Sequence, residues 1–220
     1  MEMLKLNETP VRTSRNYKIN NIKLENVELP TNIKAFTSTE IIGIKEIDPN
    51  VSNIDLVYGT GKILEENINN YANSKIKIEN TSEDIQINYN FDAENTQLIN
   101  NLEIIAEKNL NIIIKYESKT EKECFHNGVI RLLAKENANV NITIVNLLNN
   151  SSNNFDSIEN VLQENANANY TIIDIGAKNS VSNYYSNLMG NGAKNDLKTI
   201  YLGTENQVKD INYIAHTRGE

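Results

Sequence analysis

Between residues 134 and 176 apolar and polar positions alternate in short runs. Val140, Ile142 and Ile144 are separated by Asn141 and Thr143, and Ala168, Tyr170 and Ile172 by Asn169 and Thr171. A period of two is that of a strand with one buried face. Ala134-Lys-Glu-Asn-Ala-Asn-Val-Asn-Ile-Thr-Ile-Val-Asn-Leu, set over Leu162-Gln-Glu-Asn-Ala-Asn-Ala-Asn-Tyr-Thr-Ile-Ile-Asp-Ile, is nearly the same line repeated 28 residues later. Ala106-Glu-Lys-Asn-Leu-Asn-Ile continues it upstream and Gly190-Asn-Gly-Ala-Lys-Asn-Asp-Leu downstream. A period in this range marks stacked repeats. One column of the alignment reads Asn109, Asn137, Asn165, Gly192, residue types that tolerate a left-handed backbone and so predict a recurring tight turn.

Each repeat therefore reads strand, turn, strand, loop, with no helical stretch long enough for a strand–helix unit. Such a unit cannot bury its apolar face alone, so successive repeats must stack. The prediction is an all-β parallel β-helix, or β-solenoid, with repeats of about 28 residues. The leucine-rich frame L-x-x-L-x-L-x-x-N is absent.

The solenoid is expected over residues 71–220, starting with Ile76 and Ile78, a turn at Asn80-Thr-Ser, then Ile85, Ile87 and Tyr89. Residues 1–70 read as an irregular lead-in and capping segment. Its alternation is weak between Pro10 and Pro30, which predicts extended chain with one short edge strand over the first rung. Asp48-Pro49 breaks the next apolar run, and a short helix is expected from Leu64 to Tyr71. Gly219 falls one period after Gly192, which predicts a final rung cut short, an open stacking edge and a chain that is the N-terminal part of a longer pattern.

Charge narrows the function. With net charge −8 and a pI of about 5.0, the surface repels phosphate backbones, and no basic cluster with interleaved aromatics offsets this. No run approaches the apolar length of a membrane span, and Met1-Glu-Met-Leu-Lys lacks the order of a signal peptide. A cytoplasmic protein without nucleic-acid or membrane partners is expected. The Asn-rich composition reads as genome-wide bias.

Candidate chemistry is sparse. The single cysteine, Cys124, precludes an internal disulfide. It stands two residues from His126, so on a strand both point to one face and together make half a metal site or a redox sensor. The structural alternative is an inert Cys and a His bonded to backbone. Arg12 and Arg15 are an anion site or a solvated face. Gly59-Thr-Gly-Lys62 lacks the length and terminal hydroxyl of a phosphate loop. No catalytic triad, glycosidase carboxylate pair or His-Glu-x-x-His stands out.

Thr9-Pro-Val-Arg-Thr-x-x-Asn-Tyr-x-Ile-Asn, Phe125-His-Asn-Gly-Val-Ile-Arg131 followed by Ala134-x-Glu-Asn-Ala, and Met189-Gly-x-Gly-Ala-x-x-Asp-Leu with Tyr201-Leu-Gly resemble the SufB/SufD family of iron–sulfur cluster assembly proteins, and the short SufD-type members among them. The resemblance implies a β-helix core and a scaffold subunit without turnover, partnered by SufB-like and SufC-like ATPase subunits. It also implies that no cofactor binds this chain alone and that an iron–sulfur cluster is possible only in the full complex. The family's later Cys-x-His-Gly segment has no counterpart here, so no cluster ligand carries over. Self-association through the open edge is the further partner expectation. The rival class is a β-solenoid that binds or cleaves polysaccharide.

Overall fold

The computed structural model describes residues 3–8, 20–44, 46–79, 81, 84–204 and 206–218. Arg12 and Arg15, the motif residues 9–19, the turn residues Asn80 and Ser82, and Gly219 lie outside them. In chain order the elements are β1 (Met3–Leu6), β2 (Ile22–Glu25), β3 (Thr39–Ile42), α1 (Lys62–Tyr71), β4 (Ser74–Glu79), β5 (Asp84–Phe91), β6 (Gln97–Ala106) and β7 (Leu110–Ser118). There follow β8 (Phe125–Ala134), β9 (Asn139–Leu147), β10 (Asn153–Leu162), β11 (Asn167–Asp174), β12 (Asn179–Leu188), β13 (Lys194–Tyr201) and β14 (Val208–Thr217). Even strands β4 to β14 form one sheet and odd strands β3 to β13 another, each ordered by sequence. Every neighbouring pair is parallel except β3, which runs antiparallel to β5. This is the expected β-solenoid, of about five turns.

Inward residues stack in columns from rung to rung. Ile76, Leu102, Ile130, Ile158 and Tyr184 share one column of the even sheet. Ile87, Ile114, Ile144 and Ile172 share one of the odd sheet. All are buried in a single lumenal core, where each rung's apolar face is covered by its neighbours. Asn137, Asn165 and Gly192 take the left-handed conformation at the turn, with φ of 60°, 54° and 71°. Asn109 does not. Its connection is shorter, and Leu110 pairs with Val140, two positions past a strict 28-residue offset. A slip of two keeps every side chain on its own face, so the core tolerates it.

The lead-in differs from the expectation of an edge strand over the first rung. Among the described residues β3 pairs with β5 at that end, and Asp48 makes a single antiparallel bridge to Lys77 of β4. β1 and β2 form a separate antiparallel pair that lies with α1 and the intervening strap across the outer face of the even sheet. There Leu4, Leu6, Leu24, Ile54, Leu56, Leu64 and Ile68 make a second core with Ile99, Phe125, Val129, Phe155 and Val181. The physical reason is that β8, β10 and β12 are buried on both faces and carry apolar outward residues, Phe125, Val129, Phe155 and Val181, as strands of a doubly covered parallel sheet do. Polar contacts fix the strap rung by rung. Glu103 accepts from Ser52 N at 2.9 Å, Arg131 donates to Ser52 O at 2.8 Å, and Glu159 accepts from Val57 N at 3.0 Å. Asn7 reaches Ser182 O on β12 at 3.0 Å. The expected short helix is α1. Among the described residues no helix is long and apolar enough to cross a membrane.

Candidate functional site

The lumen is lined by apolar columns, but two neighbouring columns of the even sheet carry polar side chains. Leu98, His126, Asn154, Ser180 and Lys209 are in register across β6 to β14. The neighbouring inward column holds Asn100, Gly128, Asp156 and Ser182. From the odd sheet Tyr116, Asn146 and Asp174, themselves in register, face the same file.

Hydrogen bonds join this file end to end. His126 is fully buried, with Nδ1 2.6 Å from Asn154 Oδ1 and Nε2 2.6 Å from Asn100 Oδ1. Asn154 Nδ2 is committed to Asp156 Oδ2 at 3.0 Å and Ser180 Oγ at 3.1 Å. Its oxygen therefore faces the imidazole, and Nδ1 carries the ring proton. Asn146 Nδ2 continues the chain to Asp174 Oδ1 at 2.8 Å, and Lys209 Nζ ends it on the same oxygen at 2.9 Å. The Tyr116 ring lies on His126 with centroids 4.0 Å apart. Gly128 makes room, since a Cβ there would fall 2.5 Å from Asn100 Oδ1 and 2.7 Å from His126 Nε2.

Burial dominates the electrostatics. It pulls the His126 pKa down, opposed by the Asp156 carboxylate, whose Oδ1 is 4.0 Å from Nδ1. It pushes Asp156 up, opposed by His126, and it raises the Tyr116 phenol well above its usual value. The cause is the same throughout: a charge in this lumen loses its water.

Cys124 and His126, paired in the sequence as half a metal site, both reach the lumenal side, but their polar atoms have separate partners. The Cys124 thiol donates to Lys122 O at 3.4 Å and accepts from Ser118 Oγ at 3.7 Å, and burial raises its pKa. Metal ligation by His126 would require its ring to leave both amide oxygens. Among the described residues no group of three or more His, Cys, Asp and Glu is placed to hold a metal. His216 stands outside the lumen, its Nδ1 3.4 Å from Tyr185 Oη. Lys62, at the end of the glycine turn, opens α1 and pairs with Asp55 and Glu65.

Asn154, Asp156, Asn146, Asp174 and Lys209 were not singled out by sequence reasoning. The signal was present for two of them: Asn154 lies 28 residues after His126, and Asp156 28 after Gly128, both at positions that the repeat turns inward.

The SUF system FeS cluster assembly SufBD core-domain family model matches residues 89–220, which contain the polar file. No curated protein and no solved structure gives a significant match.

Proposed function

The chain belongs to the SufBD core-domain family of the SUF system, and we propose that it serves iron–sulfur cluster assembly as a scaffold subunit, by association rather than turnover. Involvement in cluster assembly follows from family membership. One observation carries the scaffold reading. The lumen is packed and hydrogen-bonded along its length, while the described residues offer no partner to the outer edges of β13 and β14.

Beside those edges Ile200, Tyr201, Leu202 and Tyr213 are exposed. An unpaired edge with apolar neighbours is a template for another chain. The occupants expected there are further rungs of the same pattern, a SufB-like subunit or a second copy of this chain, with a SufC-like ATPase in the same assembly. The iron–sulfur cluster is then the cargo of the complex.

The test is to tag the chain, express it anaerobically in its native host and identify by mass spectrometry what co-purifies. A SufB-like protein together with an ABC-type ATPase is the expected result. Recovery of the chain alone would overturn the scaffold reading. Sedimentation over a range of concentrations separates the partners: concentration-dependent dimers support pairing of copies, and a monomer at high concentration removes it.

A further inference from the structure

Toward the last described rung the polar file ends in three side chains that the family assignment leaves without a role. Asn146 of β9 and Asp174 of β11 are each 2% exposed, and the Lys209 side chain of β14 is 7% exposed. Lys209 Nζ donates to Asp174 Oδ1 at 2.9 Å and also to Gly176 O. Asn146 Nδ2 donates to the same carboxylate oxygen at 2.8 Å. The carboxamide oxygen of Asn146 accepts from Leu148 N at 3.1 Å. Asp174 Oδ2 has no partner among the described residues.

Those contacts match the parts of an acyl transfer. Lys209 supplies an amine. Asp174 touches both that amine and the nitrogen that would leave, so one carboxylate serves both proton transfers. The Leu148 N–H sits on the carbonyl oxygen, where negative charge would develop in a tetrahedral intermediate. Burial keeps out the water that would compete as nucleophile.

We propose that Lys209 and Asn146 form an intramolecular isopeptide bond, with Asp174 as the catalytic acid and base. The Lys209 ammonium passes a proton to the Asp174 carboxylate, and Nζ adds to Cγ of Asn146. Asp174 returns that proton to Nδ2, the Cγ–Nδ2 bond breaks, and the second proton of Nζ leaves through Asp174 to the departing ammonia, which is released as ammonium. An amine and a primary amide become a secondary amide and ammonia, and nothing is oxidised or reduced. The link ties β14 to β9, two rungs inward, and clamps the last strand beside the free edge. A buried ion pair alone explains the Lys209–Asp174 contact. It gives no role to the carboxamide on the same oxygen, whose carbonyl also closes an Asx turn with Leu148 N.

The intact mass of the full chain, purified folded and incubated for several days, decides between the two. The expected result is a deficit of one ammonia, about 17 Da, with trypsin releasing a branched peptide that joins Asn146 to Lys209. Lys209→Arg and Asp174→Ala should restore the full mass. A chain kept unfolded in denaturant should give no branched peptide joining Asn146 to Lys209, since only the fold brings the groups together; ammonia lost by its Asn-Gly steps leaves no branch. The proposal is overturned if the folded wild type keeps its sequence mass with the two residues in separate peptides. It also fails if the unfolded chain yields the same branched peptide, or if the deficit is one water with the branch at Asp174. The wild-type mass is read directly, so the outcome does not depend on any variant folding.

Discussion

The two outer faces of the solenoid are built from strands of the same repeat and meet different surroundings. On the odd sheet no described element lies over the face. Asp84, Asn111, Asn141 and Asn169 form an exposed ladder with Asn111 Nδ2 to Asp84 at 2.7 Å and Asn141 Nδ2 to Asn111 at 2.8 Å, and Ile113 beside it is 44% exposed. On the even sheet the face is roofed by the lead-in, and Phe155 in its middle is fully buried. Rung stacking thus needs only one buried face per strand. The second core is a separate addition that couples the first residues of the chain to the last rungs.

If so, equivalent truncations should differ sharply between the faces. Phe155→Ala empties a site in the second core, where its ring meets Phe125 at 5.7 Å, and should cost about 3–5 kcal/mol in urea unfolding. Ile113→Ala and Asn141→Ala on the odd sheet should stay within about 0.5 kcal/mol. Equal losses on both faces would mean that something covers the odd sheet too. Next in size is Arg131→Ala. It removes one of two donors from Ser52 O, the other being Asn101 Nδ2 at 3.2 Å, and leaves Glu103, now 3.0 Å from the guanidinium, without its cation. A loss of about 2 kcal/mol is expected, with protease cleavage appearing first between residues 49 and 61. Unchanged cleavage there would show that the apolar contacts of Ile54 and Leu56 hold the strap without the charges.

The same contrast explains what could be read from the chain. β9 and β11 alternate because one face meets solvent, so the solenoid and its left-handed turns at Asn137 and Asn165 were legible. β10, Asn153-Asn-Phe-Asp-Ser-Ile-Glu-Asn-Val-Leu, shows no clean alternation because Phe155 is buried outward and Ile158 inward. The course of the lead-in was hidden for that reason: its partners lie on a face that a period-two reading assigns to solvent. Cys124 and His126 were visible as a pair because they are neighbours in sequence. The file that engages His126 was not, because Asn100, Asn154 and Asp156 reach it only through the rung spacing.

The lumen lies between both faces and offers the smallest test. Burial holds the Asp156 pKa above its usual value and the His126 pKa below its own. Tyr116 from β7, Asp174 from β11 and, beyond it, Lys209 from β14 complete the ionisable groups of the file. A raised carboxyl pKa gives stability that is full below about pH 3.9 and is lost as pH rises through the folded value. A depressed imidazole pKa gives stability that is full above about pH 6.5 and is lost as pH falls through the folded value. Between those limits the two slopes oppose each other, so the pair's contribution should be nearly flat in the wild type. Asp156→Asn keeps the shape and removes the carboxyl, leaving the His126 slope alone. Relative to wild type, its urea midpoint should then rise with pH between about 4 and 6.5, by at most about 1.4 kcal/mol per unit. A variant whose pH profile parallels that of the wild type would show that Asp156 titrates alike in the folded and unfolded chain and so contributes no pH-dependent stability over this range.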